Sequence, residues 1–290
     1  PPAAMTEVPT MHELRCSAPL SIFGSRLKPA LKQAAASGVE GLLIDTRNLV
    51  TPAEFSSSAI RHFRKHLEEL GLVLAATCFP TRRGFADRRD LQPRVEAACT
   101  ALGFARALGT DVLTLNIGPV PPDEIDEAGR NDRDLLVEVL NDLARHGNHV
   151  GALPVIGGSA SDLETFQGLL GSINAGPIGV DFDPAAWSGG GLNPVEAFRE
   201  LYDVVRHVWA RDALRAADGS YREVRVGQGE VAWDEMLAVL AEAEYNGWLT
   251  VGACGTDDPV GDTARSVSML RSIVMAPKLS RRSVVNCVSS

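Results

Sequence analysis

Short apolar runs alternate with amphipathic stretches eight times along this chain, and this alternation restricts the possible folds more than any other feature of the sequence. Strands that are buried on both faces are apolar throughout, so runs of this kind are typical of a parallel sheet. A stretch that can form a helix follows each run. The predicted strands cover residues 14–19, 41–46, 72–79, 111–117, 152–157, 178–184, 204–211 and 248–253.

Eight strand–helix units in 290 residues fit either one closed barrel or two doubly wound domains. No linker rich in proline, glycine and serine interrupts residues 14–275. The sequence therefore predicts an α/β fold in which this range forms a single (β/α)8 TIM barrel. Residues 1–13 are predicted to be an N-terminal tail and residues 276–290 a mobile C-terminal tail.

Of the segments that carry the residues typical of a helix start, two contain a proline. Thr51-Pro52-Ala53-Glu54 and Asn193-Pro194-Val195-Glu196 each place a capping residue before a proline and a glutamate at the third helical position. Helices are therefore predicted to begin at Pro52 and at Pro194.

The charge balance and the cysteines exclude several classes of protein. The chain has a formal net charge of −9, which disfavours binding to nucleic acid or to an anionic membrane. No run of 18 apolar residues is present, and the first residues do not resemble a secretory signal, although a start without methionine is also typical of a trimmed chain. Five widely spaced cysteines without a CxxC pair suit reduced thiols. A cytoplasmic location is expected.

Three segments near the C-terminal end of the chain carry a resemblance to a known family. Ile178–Pro184 (IGVDFDP) resembles the sixth-strand motif of xylose-isomerase-like barrels, the sugar phosphate isomerase/epimerase family, and His207–Asp212 (HVWARD) resembles their His-x-His-x-Lys-Asp run on strand seven. Gly227–Trp233 and Tyr245–Gly252 resemble the approach to their eighth strand. The resemblance implies isomerisation or epimerisation of a small sugar by proton transfer next to a carbonyl group.

The resemblance also implies a divalent metal ion, Mn²⁺, Mg²⁺, Co²⁺ or Zn²⁺, held by four side chains at the ends of strands five to eight. Asp183 matches the aspartate of strand six. Gly157, Trp209 and Gly252 stand where the family has glutamate, histidine and glutamate. Glycine has no side chain and indole is only a donor, so neither can be a ligand. The sequence therefore predicts no metal site and no other cofactor.

Alternation of side chains along the strands predicts that Asp181 and His207 are neighbours inside the barrel. Such a pair is either a satisfied interior hydrogen bond or a catalytic acid/base couple. If chemistry proceeds without metal, Asp183 and His207 are the predicted proton-transfer residues.

Polar and aromatic side chains at the strand ends are predicted to contact a ligand. Arg211 either clamps an anion or pairs with an aspartate, and Asp45 and Asn116 either contact the ligand or cap loops. Tryptophan faces either stack on a sugar ring or fill the core. The predicted ligand-binding residues are Arg211, Trp209, Trp187, Asp181, Asn116, Asp45 and Asp212.

Four arginines lie within Thr81–Arg89, after the third predicted strand of an otherwise acidic chain. This segment either draws an anionic ligand to the barrel mouth or is a solvated loop or an oligomer contact.

The sequence as a whole predicts a sugar phosphate isomerase/epimerase-like protein that acts on or binds a small sugar-like compound. The alternative is a catalytically inactive barrel that binds a carbohydrate ligand or a protein partner, and a homo-oligomer is possible in either case. A nuclease of the related endonuclease-IV type is disfavoured, because the strand ends lack the residues of a multi-zinc cluster.

Overall fold

A computed structural model describes residues 14–159, 162–215, 221–252 and 257–275, so that both predicted tails lie outside the described residues. The strands in these ranges are β1 Cys16–Pro19, β2 Gly41–Asp45, β3 Val73–Cys78, β4 Val112–Pro119, β5 Leu153–Ser159, β6 Gly179–Phe182, β7 Val205–Ala210, β8 Asp212–Arg215, β9 Tyr221–Val224 and β10 Leu249–Val251. The helices are α1 Leu27–Ala36, α2 Ser57–Glu69, α3 Leu91–Leu108, α4 Asp132–Val150, α5 Leu163–Gly171, α6 Pro184–Gly189, α7 Pro194–Leu201, α8 Trp233–Glu242 and α9 Pro259–Met275, and a short 3₁₀ helix covers Leu20–Phe23.

Eight of these strands close into a parallel barrel in the order β1-β10-β7-β6-β5-β4-β3-β2. The predicted single TIM barrel is thereby confirmed, and the predicted strands agree with the observed ones within two residues at each end. The apolar run of β2 shows why the pattern was informative, since Leu42, Leu43 and Ile44 are all buried between the barrel interior and the helix layer. In the described ranges, no helix is both long enough and apolar enough to cross a membrane.

One of the two predicted helix starts is confirmed and the other is wrong. α7 begins at Pro194, and the side chain of Asn193 caps it by accepting hydrogen bonds from two backbone N–H groups. α2 begins later than predicted, at Ser57, where Ser56 is the capping residue. The earlier segment forms a turn, because the hydroxyl of Thr51 donates to the carboxylate of Glu54 (2.9 Å) instead of accepting from the backbone.

Insertions after the sixth and seventh barrel strands shape the mouth. Two helices, α6 and α7, follow β6, and the antiparallel hairpin of β8 and β9 separates β7 from α8. The eight-unit pattern did not predict this hairpin. The hydroxyl of Tyr221 in β9 donates to the carbonyl of Ser188 in α6 (2.9 Å), so the two insertions are in contact.

Candidate functional site

A cavity of about 750 Å³ opens at the C-terminal ends of β3 to β7. Its size is in the range that holds a small-molecule ligand. We call it the mouth cavity. Six of the predicted site residues line it: Asn116, Asp181, Asp183, Trp187, Trp209 and Arg211.

Asp181 lies in this wall and is held by two neighbouring side chains of β7. The ring atom Nδ1 of His207 lies 2.6 Å from Oδ1 of Asp181, and the indole of Trp209 donates to Oδ2 at 3.1 Å. The neighbourhood of Asp181 and His207 that strand alternation predicts is thus present. Both oxygens of the carboxylate are fixed, while about a tenth of the side chain remains exposed.

His207 lies one layer below the cavity. Its side chain is 1% exposed, and its second nitrogen, Nε2, lies 2.6 Å from the hydroxyl of Thr250, which is itself 2.6 Å from the hydroxyl of Ser17. A carboxylate only accepts, so with a neutral imidazole the direction of all three hydrogen bonds is fixed. Ser17 donates to Thr250, Thr250 donates to Nε2 of His207, and Nδ1 of His207 donates to Asp181. His207 therefore does not line the mouth cavity, and its role in proton transfer stays a prediction. Its position suits it to orient Asp181.

Asp183 combines a structural contact with a place in the cavity wall. Its Oδ1 accepts hydrogen bonds from two N–H groups in the first turn of α6, and its Oδ2 accepts one from Nη1 of Arg211 at 2.8 Å. Burial raises the pKa of Asp183, and this effect exceeds the opposing effects of Arg211 and of the backbone donors.

Arg211 is fixed between carboxylates from two insertions. Its Nε and Nη2 donate to Glu223 of β9 at 3.0 and 3.1 Å, and its guanidinium lies 5.7 Å from the ring centre of Trp209. Burial alone would lower the pKa of Arg211, but the hydrogen bonds and charges of Glu223 and Asp183 raise it. A permanent cation therefore borders the cavity. The predicted ion pair with Asp183 is present.

Two predicted ligand-binding residues do not line the mouth cavity. Asp212 is fully buried, and its carboxylate accepts hydrogen bonds from four backbone N–H groups and one indole. Asp45 caps the loop after β2, since its Oδ1 accepts from the backbone of Arg47 and Asn48 at 2.8 Å. Neither carboxylate borders the mouth cavity, and both accept from backbone N–H groups and from one side chain, Asn48 for Asp45 and Trp233 for Asp212, so the structure gives the ligand-binding prediction no support. For Asp45 the alternative, a loop cap, is what the structure contains.

The other two candidates keep a place in the wall. The side chain of Asn116 accepts a hydrogen bond from the backbone of Gly118 (2.8 Å), and its residue is exposed to the cavity. Trp187 is 9% exposed and stacks on Phe182 with ring centres 6.0 Å apart. Trp187 thus fills the core and also lines the cavity, and its stacking on a ligand stays a prediction.

The positions matched to the family's metal ligands are filled by this network. A side-chain carbon at Gly252 would lie 2.7 Å from Cγ of Arg211, and one at Gly157 would lie 3.3 Å from Cβ of Asp181. Among the residues that the structure describes, no group of three or more histidine, cysteine, aspartate or glutamate side chains could hold a metal ion. Cys78 also lines the cavity, but burial raises the pKa of its thiol, which does not favour a thiolate ligand.

Sequence reasoning missed three residues of this network. Glu223 pairs with Arg211 through a hairpin that no strand pattern predicted, and Ser17 and Thr250 extend the hydrogen-bond chain from β1 and β10. Strand alternation could have indicated one of them, Thr250. In the register of β10 and β7 this residue is paired with Trp209, which lies on the same face of β7 as His207.

Comparison with known proteins supports the fold. The family model of xylose isomerase-like TIM barrels matches residues 30–273. Comparison with the sequences of curated proteins gives no match.

Three solved structures illustrate the similarity. A xylose isomerase domain protein from Planctomyces limnophilus is 22% identical, with a TM-score of 0.75 over 90% of this chain and 97% of that one. A D-tagatose 3-epimerase-like protein is 16% identical, with a TM-score of 0.73 over 90% and 97% of the two chains. A xylose isomerase-like TIM barrel protein from Mycobacterium smegmatis, solved in complex with magnesium, is 18% identical, with a TM-score of 0.67 over 91% and 98%. At these identities the likeness extends to the fold alone.

Proposed function

Because this chain belongs to the family of xylose isomerase-like TIM barrels, we propose that it binds a small sugar or sugar-like compound in the mouth cavity and isomerises or epimerises it without a divalent metal ion. The observation that carries the proposal is the ion pair between Arg211 and Asp183, 2.8 Å long, in the cavity wall. It places a permanent cation beside the carboxylate that matches the family motif.

The wall offers the groups that a proton transfer next to a carbonyl requires. One carboxylate, Asp183 or Asp181, removes the proton from the carbon beside the carbonyl and leaves an enediolate. In isomerisation it returns the proton to the former carbonyl carbon, while the hydroxyl proton moves to the former carbonyl oxygen. In epimerisation the other carboxylate, in its protonated form, delivers a proton to the opposite face of the same carbon. The guanidinium of Arg211 stabilises the negative charge that develops on the carbonyl oxygen, and it needs no metal to do so. Trp187 and Trp209 offer aromatic surface to the sugar ring.

The side chains present do not fit the divalent ion of the magnesium-bound neighbour. Asp183 already accepts a hydrogen bond from Arg211, and the guanidinium adds a positive charge that repels a cation. Side chains at Gly157 and Gly252 would meet Asp181 and Arg211. The proposal therefore assigns no step to a metal.

Metal ions are expected to leave the stability of this protein almost unchanged. An ion held by Asp183 alone binds weakly, so about 1 mM Mn²⁺, Mg²⁺ or Zn²⁺ should add less than roughly 1 kcal/mol, whereas a site of micromolar affinity would add about 4 kcal/mol. Thermal melts with and without each ion measure the difference. A clear rise in Tm that disappears in Asp183→Ala would contradict the proposal and would favour a metal-dependent isomerase instead.

Turnover can be tested without knowing the product. Ketohexoses and ketopentoses are incubated with the EDTA-treated protein in D₂O, and NMR detects deuterium that replaces the hydrogen next to the carbonyl group. We expect incorporation that is independent of metal and falls about 100-fold or more in Asp183→Asn, since general acid–base catalysis contributes about 10²–10⁴-fold. Asparagine keeps the cap of α6, because its side-chain oxygen still accepts from the backbone.

A matched control is available at the same end of the barrel. Asp45→Asn also changes an aspartate that caps the segment after a strand, but Asp45 does not line the cavity, so incorporation should be unchanged. No incorporation with any sugar tested would contradict the proposed activity.

A second candidate function is binding without turnover. It is favoured by the observation that Asp181 and Asp183 are both already hydrogen-bonded within the protein. Saturable sugar binding without any deuterium incorporation would select this alternative.

A further inference from the structure

We propose that a second cavity, beside the mouth cavity, binds a small organic anion with an apolar body. It has a volume of about 850 Å³ and lies between the loops that follow β2 and β3 and the N-terminal half of α3. Phe79 lines both cavities, so the two are neighbours. None of the mouth carboxylates lines the second cavity, which we call the arginine cavity, and its proposed ligand does not depend on the proposed function.

The charge of the arginine cavity is opposite to that of the chain. Arg47, Arg82, Arg83 and Arg94 line it together with one acidic residue, Asp90, which leaves three positive charges in a chain of net charge −9. A concentration of positive charge in a concave site attracts anions and raises their local concentration.

Much of this positive charge is not neutralised by the protein. Within the described ranges the side chain of Arg82 has no ion pair or hydrogen bond, and the guanidinium of Arg47 donates only to the carbonyl of Pro80 at 3.0 Å. Arg83 approaches two carboxylates at 3.4 and 3.6 Å and is 42% exposed, so these contacts are weak. The guanidinium groups are therefore available to an external anion.

Arg94 adds an unsatisfied donor. Its two terminal nitrogens donate to the carbonyls of Arg89 and Asp87, whereas its Nε is buried without a hydrogen-bond partner. Burial also lowers the pKa of Arg94, which means that the cation is poorly compensated where it lies. Buried donors usually have a partner, so the protein compensates this cation incompletely, and an anion in the cavity would add a negative charge beside it.

The remaining wall of the arginine cavity is mostly apolar. Three threonines, Thr46, Thr51 and Thr100, contribute to it, and the other residues are Phe79, Pro52, Ala53, Pro93, Ala97 and Ala101. An inorganic ion would leave this surface in contact with water, whereas a ring or short chain attached to the anionic group would cover it. The ligand class that fits is therefore a phosphate or carboxylate joined to an apolar group.

Phenyl phosphate is the probe for this site, and isothermal titration of the full chain is the measurement. We expect saturable binding with Kd in the millimolar range or tighter, weakened by salt, and binding at least about tenfold weaker for anisole, an uncharged molecule of similar shape. Titration with benzoate compares a carboxylate with a phosphate on the same ring. Equal binding of anisole and phenyl phosphate, or no binding of either anion at about 10 mM, would overturn the proposal.

Variants locate the binding. Arg82→Gln and Arg47→Gln should each weaken phenyl phosphate binding about tenfold or more, the effect of losing a charge-assisted hydrogen bond. Arg88→Gln is the matched control, because this arginine belongs to the same loop but pairs with Asp132 at 3.0 Å and does not line the cavity. Unchanged affinity in both cavity variants would show that the anion binds elsewhere.

Discussion

Replacement of Asp212 by alanine is expected to lower the free energy of unfolding by about 4 kcal/mol or more, because five donors lose their acceptor at once, three of them in buried hydrogen bonds, and each orphaned buried donor costs about 1–3 kcal/mol. Oδ1 accepts from the backbone of Ala213 and Val231, and Oδ2 accepts from the backbone of Gly227 and Gly229 and from the indole of Trp233. The carboxylate thus joins the start of β8 to the segment that leads into α8.

Urea denaturation of the unchanged protein and of Asp212→Ala measures this loss. The free energy of unfolding of Asp212→Asn should lie between those two values, because the amide keeps one acceptor but places an NH₂ group against N–H donors. Asp203→Asn is the matched control: this aspartate precedes β7, is exposed, and its carboxylate has no partner in the described ranges. A loss below about 1 kcal/mol for Asp212→Ala would mean that water replaces the carboxylate.

The same contacts explain why two separate motifs of the sequence belong together. The aspartate that ends the segment His207–Asp212 binds the backbone of the glycine segment Gly227–Trp233. A side-chain carbon at Gly229 would lie 2.0 Å from Oδ1 of Asp212, so only glycine fits there. Sequence alone suggested that Asp212 binds a ligand, because a pattern of residues does not say whether a carboxylate meets solvent or backbone.

The barrel was predictable because its signal is repeated. All eight strands of the barrel give the same signal, an apolar run that is buried on both faces. A mistake in the bounds of one predicted strand therefore does not change the prediction of a closed barrel. The β8–β9 hairpin was not predictable in this way: it is short, half-exposed and outside the repeat. It nevertheless supplies Glu223, which fixes Arg211 in the cavity wall.

For the mouth of the barrel, the sequence predicted only which face of a strand each side chain occupies. Alternation predicted that Asp181 and His207 are neighbours, and in the structure Oδ1 of Asp181 lies 2.6 Å from Nδ1 of His207. Depth along the barrel axis depends on strand stagger, which the sequence does not reveal, and depth decides that Asp181 reaches the cavity whereas His207 does not.

Replacement of His207 by alanine should have the second large effect, a loss of about 3 to 5 kcal/mol in the free energy of unfolding. The imidazole is 1% exposed and connects strands β6 and β10 through Asp181 and Thr250. Its removal leaves a cavity in the barrel interior and takes a hydrogen-bond partner from both neighbours. Urea denaturation measures the loss, and His62→Ala on the exposed face of α2 should change stability by less than about 0.5 kcal/mol.

Milder variants separate the packing of His207 from its hydrogen bonds. Thr250→Val keeps the shape but breaks the contact of His207 with Thr250 and that of Thr250 with Ser17, each 2.6 Å long, and should cost about 1–3 kcal/mol. His207→Gln retains a donor and an acceptor and should be less destabilised than His207→Ala. If His207→Ala cost no more than Thr250→Val, the imidazole would add nothing beyond the two hydrogen bonds of the Thr250 hydroxyl. Asp181 would then be held at the mouth by Trp209 alone, and the positioning role inferred for His207 would fail.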